Sequence, residues 1–179
     1  MRKLILTAII ALMPTVFLAQ VSAFSKYEDR DDVTSVIVNK KMFEMIGKTK
    51  VKEAPEYVDL IKKLDNLRVF TTQNAKTSAD MKATANAHIK SVGLEELMRV
   101  NDKGQNIRIM VKTGATETKV KELLMFIEGA GKGSDTVLMS LTGEFDLNDI
   151  SMLTEKMNLP GGNELKKASK GAKGPKGPK

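Results

Sequence analysis

Apolar and polar positions along this chain change period several times, and each change predicts an element. Val33 to Val38 runs Val-Thr-Ser-Val-Ile-Val, β-branched nearly throughout, which predicts a strand. A short helix carrying Met42, Phe43, Met45 and Ile46 follows and stops at Gly47. Pro55 opens a second helix, in which Tyr57, Leu60, Ile61 and Leu64 fall at i, i+3, i+4 and i+7, one helical face. Leu67 to Thr71 returns to strand. A third helix is expected from Thr77, a capping hydroxyl with Asp80 in the first turn, to Gly93.

From Leu94 onward the pattern is strand-like. Leu97 to Val100, the turn Asn101-Asp102-Lys103-Gly104, and Ile107, Ile109 and Val111 alternating with Arg108, Met110 and Lys112 predict a hairpin with one packed face and one wet face. Val120 to Ile127 and Thr136 to Thr142 flank the turn Gly129-Ala130-Gly131-Lys132-Gly133, which predicts a second hairpin. A last helix begins after Asp146, its expected cap, buries Ile150, Leu153 and Met157, and ends at Pro160-Gly161-Gly162. The fold class is therefore α+β, a mostly antiparallel sheet with helices packed on one face.

The two ends of the chain differ from this body. Met1-Arg2-Lys3, the apolar run from Leu4 to Leu12, Pro14 to Leu18 and then Val21-Ser22-Ala23 have the order of a cleavable signal peptide, with the cut expected before Phe24. The run is short for a bilayer span and Pro14 interrupts it. Residues 24 to 162 form one expected domain, and residues 163 to 179, rich in Lys, Gly and Pro, an expected disordered tail. An exported, soluble product in the periplasm or outside the cell follows. With no cysteine in the chain, disulfides, thiolate chemistry and the acylated cysteine of a lipoprotein are all excluded.

Charge changes the picture only at the ends. The formal +7 is carried by Arg2 and Lys3 in the leader and by Lys166, Lys167, Lys170, Lys173, Lys176 and Lys179 against Glu164 in the tail. The body's acids and bases balance, which argues against nucleic acid as a partner. The six tail lysines are the one candidate binding set, a tether to anionic lipid or polysaccharide.

The start Phe24-x-x-Tyr27, the run Val33-Thr34-Ser35-Val36 leading into Lys41-Met42-Phe43, and the closing Leu141-Thr142-Gly143-Glu144-Phe145-Asp146-Leu147-x-x-Ile150 resemble the domain-of-unknown-function family DUF4252 of exported bacterial proteins. The resemblance spans nearly the whole body, on core and capping residues without a chemical signature. It implies no established activity. Many members look like lipoproteins, from which this chain departs by lacking the cysteine, and some resemble neighbours of envelope-response regulators, which implies an accessory role.

Chemistry-bearing constellations are sparse. His88 is the single histidine, on or beside the apolar stripe of the third helix, where a core-edge residue with one hydrogen bond is expected. Zinc sites of the usual composition need more ligands of that kind. Gly129 to Ser134 lacks the phosphate-loop spacing and leads into a strand rather than a helix. Lys112-Thr113-Gly114 has no S-x-x-K partner, and Glu28-Asp29-Arg30-Asp31-Asp32 lacks calcium-loop spacing. Met42-x-x-Met45 with His88 would be the sharpest soft-metal set, but the methionines are spread singly and read as core filling. No catalytic, cofactor or metal residue is assigned. The expected function is a non-catalytic envelope or extracellular interaction protein with an envelope protein partner. The alternative is a small hydrolase built on an Asp/Glu pair, which needs no motif.

Overall fold

The computed structural model describes residues 23–49, 55–102, 104–116, 118–129, 131, 133–157 and 160–171. In chain order these form a 3-10 turn (Ser25–Tyr27), β1 (Thr34–Asn39), α1 (Lys40–Thr49), α2 (Pro55–Lys62), β2 (Leu64–Thr72), α3 (Ala75–Val92), β3 (Glu95–Asp102), β4 (Gln105–Thr113), β5 (Lys119–Glu128), β6 (Thr136–Asp146), a second 3-10 turn (Leu147–Asp149), α4 (Ile150–Met157) and α5 (Gly162–Gly171). The strands make one six-stranded sheet in the order β1-β2-β6-β5-β4-β3, antiparallel throughout. Both expected hairpins, β3 with β4 and β5 with β6, are present. The α+β class stands.

Helices cover both faces of the sheet, where one was expected. Leu123, Met125 and Ile127 of β5, with Val137, Met139 and Leu141 of β6, point into a core closed by Phe43 of α1, Leu60 and Ile61 of α2, Ile150 and Leu153 of α4 and Leu165 of α5. Leu124, Phe126 and Leu138 point the opposite way, into a second core with Phe24, Tyr27, and Met81 and Ala85 of α3. Side chains alternate across a strand, so an apolar run as continuous as Leu123-Leu124-Met125-Phe126-Ile127 fills both faces. Met110, expected on a wet face, is buried for the same reason.

Element ends also shift. Leu64 is buried as expected, but the chain leaves the helix at Lys62 and Leu64 starts β2. Asn74 caps α3 by accepting from the backbone N–H groups of Lys76 and Thr77, so the helix begins ahead of the expected Thr77 cap. At its other end Gly93, with φ 72°, lets its own and the Leu94 N–H bond the Ile89 carbonyl. Asp146 does cap as expected, accepting from the Asn148 N–H, though a 3-10 turn precedes α4.

The expected tail begins as structure. Residues Gly162–Gly171 form α5, which packs on α4 and its preceding 3-10 turn, with Leu165 fully buried. Gly161, just ahead of the helix, sits close against the sheet. A Cβ there would sit 2.5 Å from Met125 Cε and 3.1 Å from Ile127 Cδ1. The predicted leader up to Ser22 and the tail beyond Gly171 lie outside the described residues. Among the described residues no helix is long and apolar enough to cross a membrane.

Candidate functional site

Pairing slips across one end of the central strands. β2 gains one residue on β6 between Leu64 and Asn66, which leaves Asp65 out of register. The β5 ladders to β4 and β6 both slip around Lys121, opposite Gly143 and Glu144 of β6. Bulges re-aim side chains that a regular ladder would point into a face. Asp65, Lys121 and Glu144 all line one cleft of about 700 Å³, together with Lys40, Lys62, Lys63 and Lys119. Gly143 lets the end of α2 approach β6 closely, since a Cβ on it would lie 2.3 Å from the Lys63 carbonyl oxygen, which accepts from the Glu144 N–H at 3.0 Å.

Five ammonium groups therefore share this cleft with two carboxylates. Asp65 is taken by Lys40 at 2.8 Å, and this raises the Lys40 pKa. Lys62 reaches Asp59 at 3.7 Å and Lys119 reaches Asp146 at 3.6 Å. Lys63 and Lys121 make no ion pair among the described residues. Burial pushes the Asp146 carboxyl up, but bonds from Asn148 and Thr118 and the Lys119 charge outweigh it, so the group sits below its ordinary value. The opposite end of the same strands is acidic: Asp31, Asp32 and Asp135 line a smaller hollow of about 250 Å³ with Thr34, Thr71 and Thr72. The body is neutral overall and polar along its strands.

The residues singled out in the sequence fall elsewhere. His88 Nε2 lies 2.6 Å from Glu122 Oε1, under the edge-on ring of Phe24 at 4.9 Å, so its one expected partner is a carboxylate on β5. Met42 and Met45 sit on α1 with side chains half exposed, on the opposite side of the sheet from α3 and His88, so the soft-ligand set is not assembled. In the acidic run, Arg30 bonds Asp32, Asp32 also accepts from the Thr77 hydroxyl, and Glu28 accepts from Arg68 at 3.2 Å. The Gly129 turn joins two strands, and Gly129 is required where Ser134 and Asp135 close in, the latter's carbonyl oxygen 2.8 Å from a would-be Cβ. Among the described residues no group of three His, Asp or Glu could hold a metal ion.

Of the candidate tether, Lys166 and Lys167 are exposed on α5 and Lys170 belongs to the same helix. Lys173, Lys176 and Lys179 lie outside the described residues. The lysine cleft went unseen in the sequence because its charged members come from four separate segments, each of which looks like a solvated face. The one signal available was the pair Lys119 and Lys121 beside Gly143-Glu144, and it needs the pairing to be read.

A family model described as a domain of unknown function, DUF4252, matches residues 27–153. No curated protein and no solved structure matches the chain.

Proposed function

The chain belongs to the DUF4252 family, and we propose that it is an exported, non-catalytic interaction protein of the envelope or its surroundings that holds an anionic polysaccharide in the lysine cleft. The carrying observation is the cleft itself: five lysines face two carboxylates at the bulged end of a body whose charges balance as a whole. A groove lined by flexible ammonium groups suits repeated carboxylates or phosphates on a chain, without the fixed fork that would select one small anion. Export rests on the leader pattern of residues 1–23. Lys166, Lys167, Lys170, Lys173, Lys176 and Lys179 add a second cationic contact at the chain's end.

Titration of the full chain with polygalacturonate tests this. Binding should weaken steeply as salt rises, and Lys63→Glu with Lys121→Glu should lower affinity about tenfold with an unchanged melting temperature. Equal affinity in the double variant, or binding to anionic vesicles alone, would remove the reading.

One observation favours a second function, a small carboxylate-dependent hydrolase: Asp65 and Glu144 line the same cleft. Incubated polymer should then shorten with the native chain and stay intact with Asp65→Asn. Polymer of unchanged length with both proteins ends that alternative.

A further inference from the structure

The sheet's two outer strands are built differently. β3, at one edge, carries Glu95, Glu96, Arg99 and Asp102, and its ladder slips between Glu96 and Met98. Glu96 is gripped by Arg99 at 2.6 Å and Arg108 at 3.5 Å, and Arg99 holds its carboxyl below the ordinary range. Charge and a bulge are the devices by which proteins keep an edge from pairing. β1, at the other edge, has neither: Thr-Ser-Val-Ile-Val-Asn is uncharged, free of proline and paired with β2 at every residue without a slip. Among the described residues no strand lies on its outer side. Val36 is 50% and Ile37 42% exposed, one on each face of the sheet, and α1, which follows directly, leaves Met42 50% and Met45 53% exposed.

We propose that β1 pairs with β1 of a second copy, antiparallel about a two-fold axis normal to the sheet, so that two sheets become one. Charge selects both partner and direction. Asp31 and Asp32 precede the strand and Lys40 and Lys41 follow it, so antiparallel pairing sets the acidic end of each copy beside the basic end of the other. The same holds on a larger scale, since the aspartate hollow and the lysine cleft lie at opposite ends of the strands. Parallel pairing would bring like charges together. A two-fold of this kind leaves every side chain on its own face, and opposed residues share a face, as antiparallel pairing requires, only if the axis runs midway between a residue and its own copy. An axis at Val36 sets Asp32 against Lys40 and Asp31 against Lys41. It also keeps α1 of both copies on one face, where Met42 and Met45 flank the join. The dimer needs no ligand in the lysine cleft, although Lys40 belongs to both the cleft and the join.

The absence of cysteine makes the test clean. Val36→Cys should oxidise to a covalent dimer, because each copy then meets its own counterpart, whereas Arg99→Cys on the β3 edge should stay monomeric. Sedimentation of the native full chain should show a dimer that Val36→Lys weakens at least about tenfold, by placing two ammonium groups opposite each other, and that Ile37→Lys weakens less. Both side chains are half exposed, so the melting of the separated chains should not change. A native chain that is monomeric up to about 1 mM overturns the proposal, and so does a dimer cross-linked through Arg99→Cys but not through Val36→Cys. An extended peptide of another protein as the true occupant of this edge would give the first of these results.

Discussion

Under α1, α2, α4 and α5 the sheet presents Leu67, Leu123, Met125, Met139 and Leu141, and the buried side chains that meet them are Phe43, Leu60, Ile61, Ile150, Leu153 and Leu165. Under α3 it presents Phe70, Met110, Leu124, Phe126 and Leu138, and around these runs a border of polar contacts. The Tyr27 hydroxyl lies 2.7 Å from Asp80 Oδ2 and 2.8 Å from Thr84 Oγ1. Arg30 spans Asp32 and Thr77, Arg108 donates to Asn86 at 2.9 Å, Ser78 meets Thr136 at 2.7 Å, and His88 meets Glu122. Four helices can exclude water from one face by apolar area alone. A single helix and the segment from Phe24 to Val33 leave open seams on the other, and hydrogen bonds and ion pairs close them. The first face should respond to volume, the second to protonation.

The largest effect expected from this contrast is in the first core. Leu141→Ala removes a fully buried side chain from the central strand and should cost about 2–5 kcal/mol in urea unfolding, with the same loss at neutral and acid pH. A loss that varied with pH would break the contrast. Tyr27→Phe keeps the ring in the second core and deletes only the hydroxyl, so about 1 kcal/mol is expected. Asp80 keeps Lys26 at 2.7 Å, and a cost as large as that of Leu141→Ala would show that the polar border, not the apolar area, holds α3.

The smallest effect is the most specific. Arg30, then Thr77, hold the Asp32 carboxyl down from 3.8 to about 2. A folded value below the unfolded one means that its stabilisation is complete above 3.8 and is lost as pH falls through about 2. Asp32→Asn should lower the melting temperature slightly at neutral pH and flatten its decline in that window. Its side chain is 31% exposed, so salt should shrink the difference. An unchanged slope would take Asp32 out of the acid response, leaving Asp80, which Lys26 and then Tyr27 also hold low.

Elements set by nearest neighbours were legible in the sequence, and features set by distant pairing were not. Alternation in β4 and the β-branched run of β1 gave strands within a residue or two of their ends, and the Gly129 turn gave its hairpin. The single-face expectation missed because Ile107, Ile109 and Val111 alternate cleanly while the adjoining β5 does not, and the continuous run of β5 was the better guide. Asn74 outcompeted Thr77 as cap because the Thr77 hydroxyl is engaged by Asp32 and Arg30, residues more than forty positions away. Asp65 and Lys121 could not be picked out, since a slip is a property of two strands and neither strand shows it alone. Tail composition hid α5, whose Leu165 is fully buried.

The joint between β2 and β6 bears on how the chain reaches this state. β3, β4, β5 and β6 each pair with the strand next to them in the chain, and β1 pairs with β2 across α1 and α2. Only β2 and β6 meet with everything from α3 to β5 between them, from Thr72 opposite Thr136 to Leu64 opposite Gly143. Local pairings form with little loop entropy, whereas this one must close the longest loop in the sheet before either core is complete. Docking of the two chain-local halves along this seam is therefore the step expected to limit folding, so substitutions between β2 and β6 should slow refolding more than substitutions between β3 and β4.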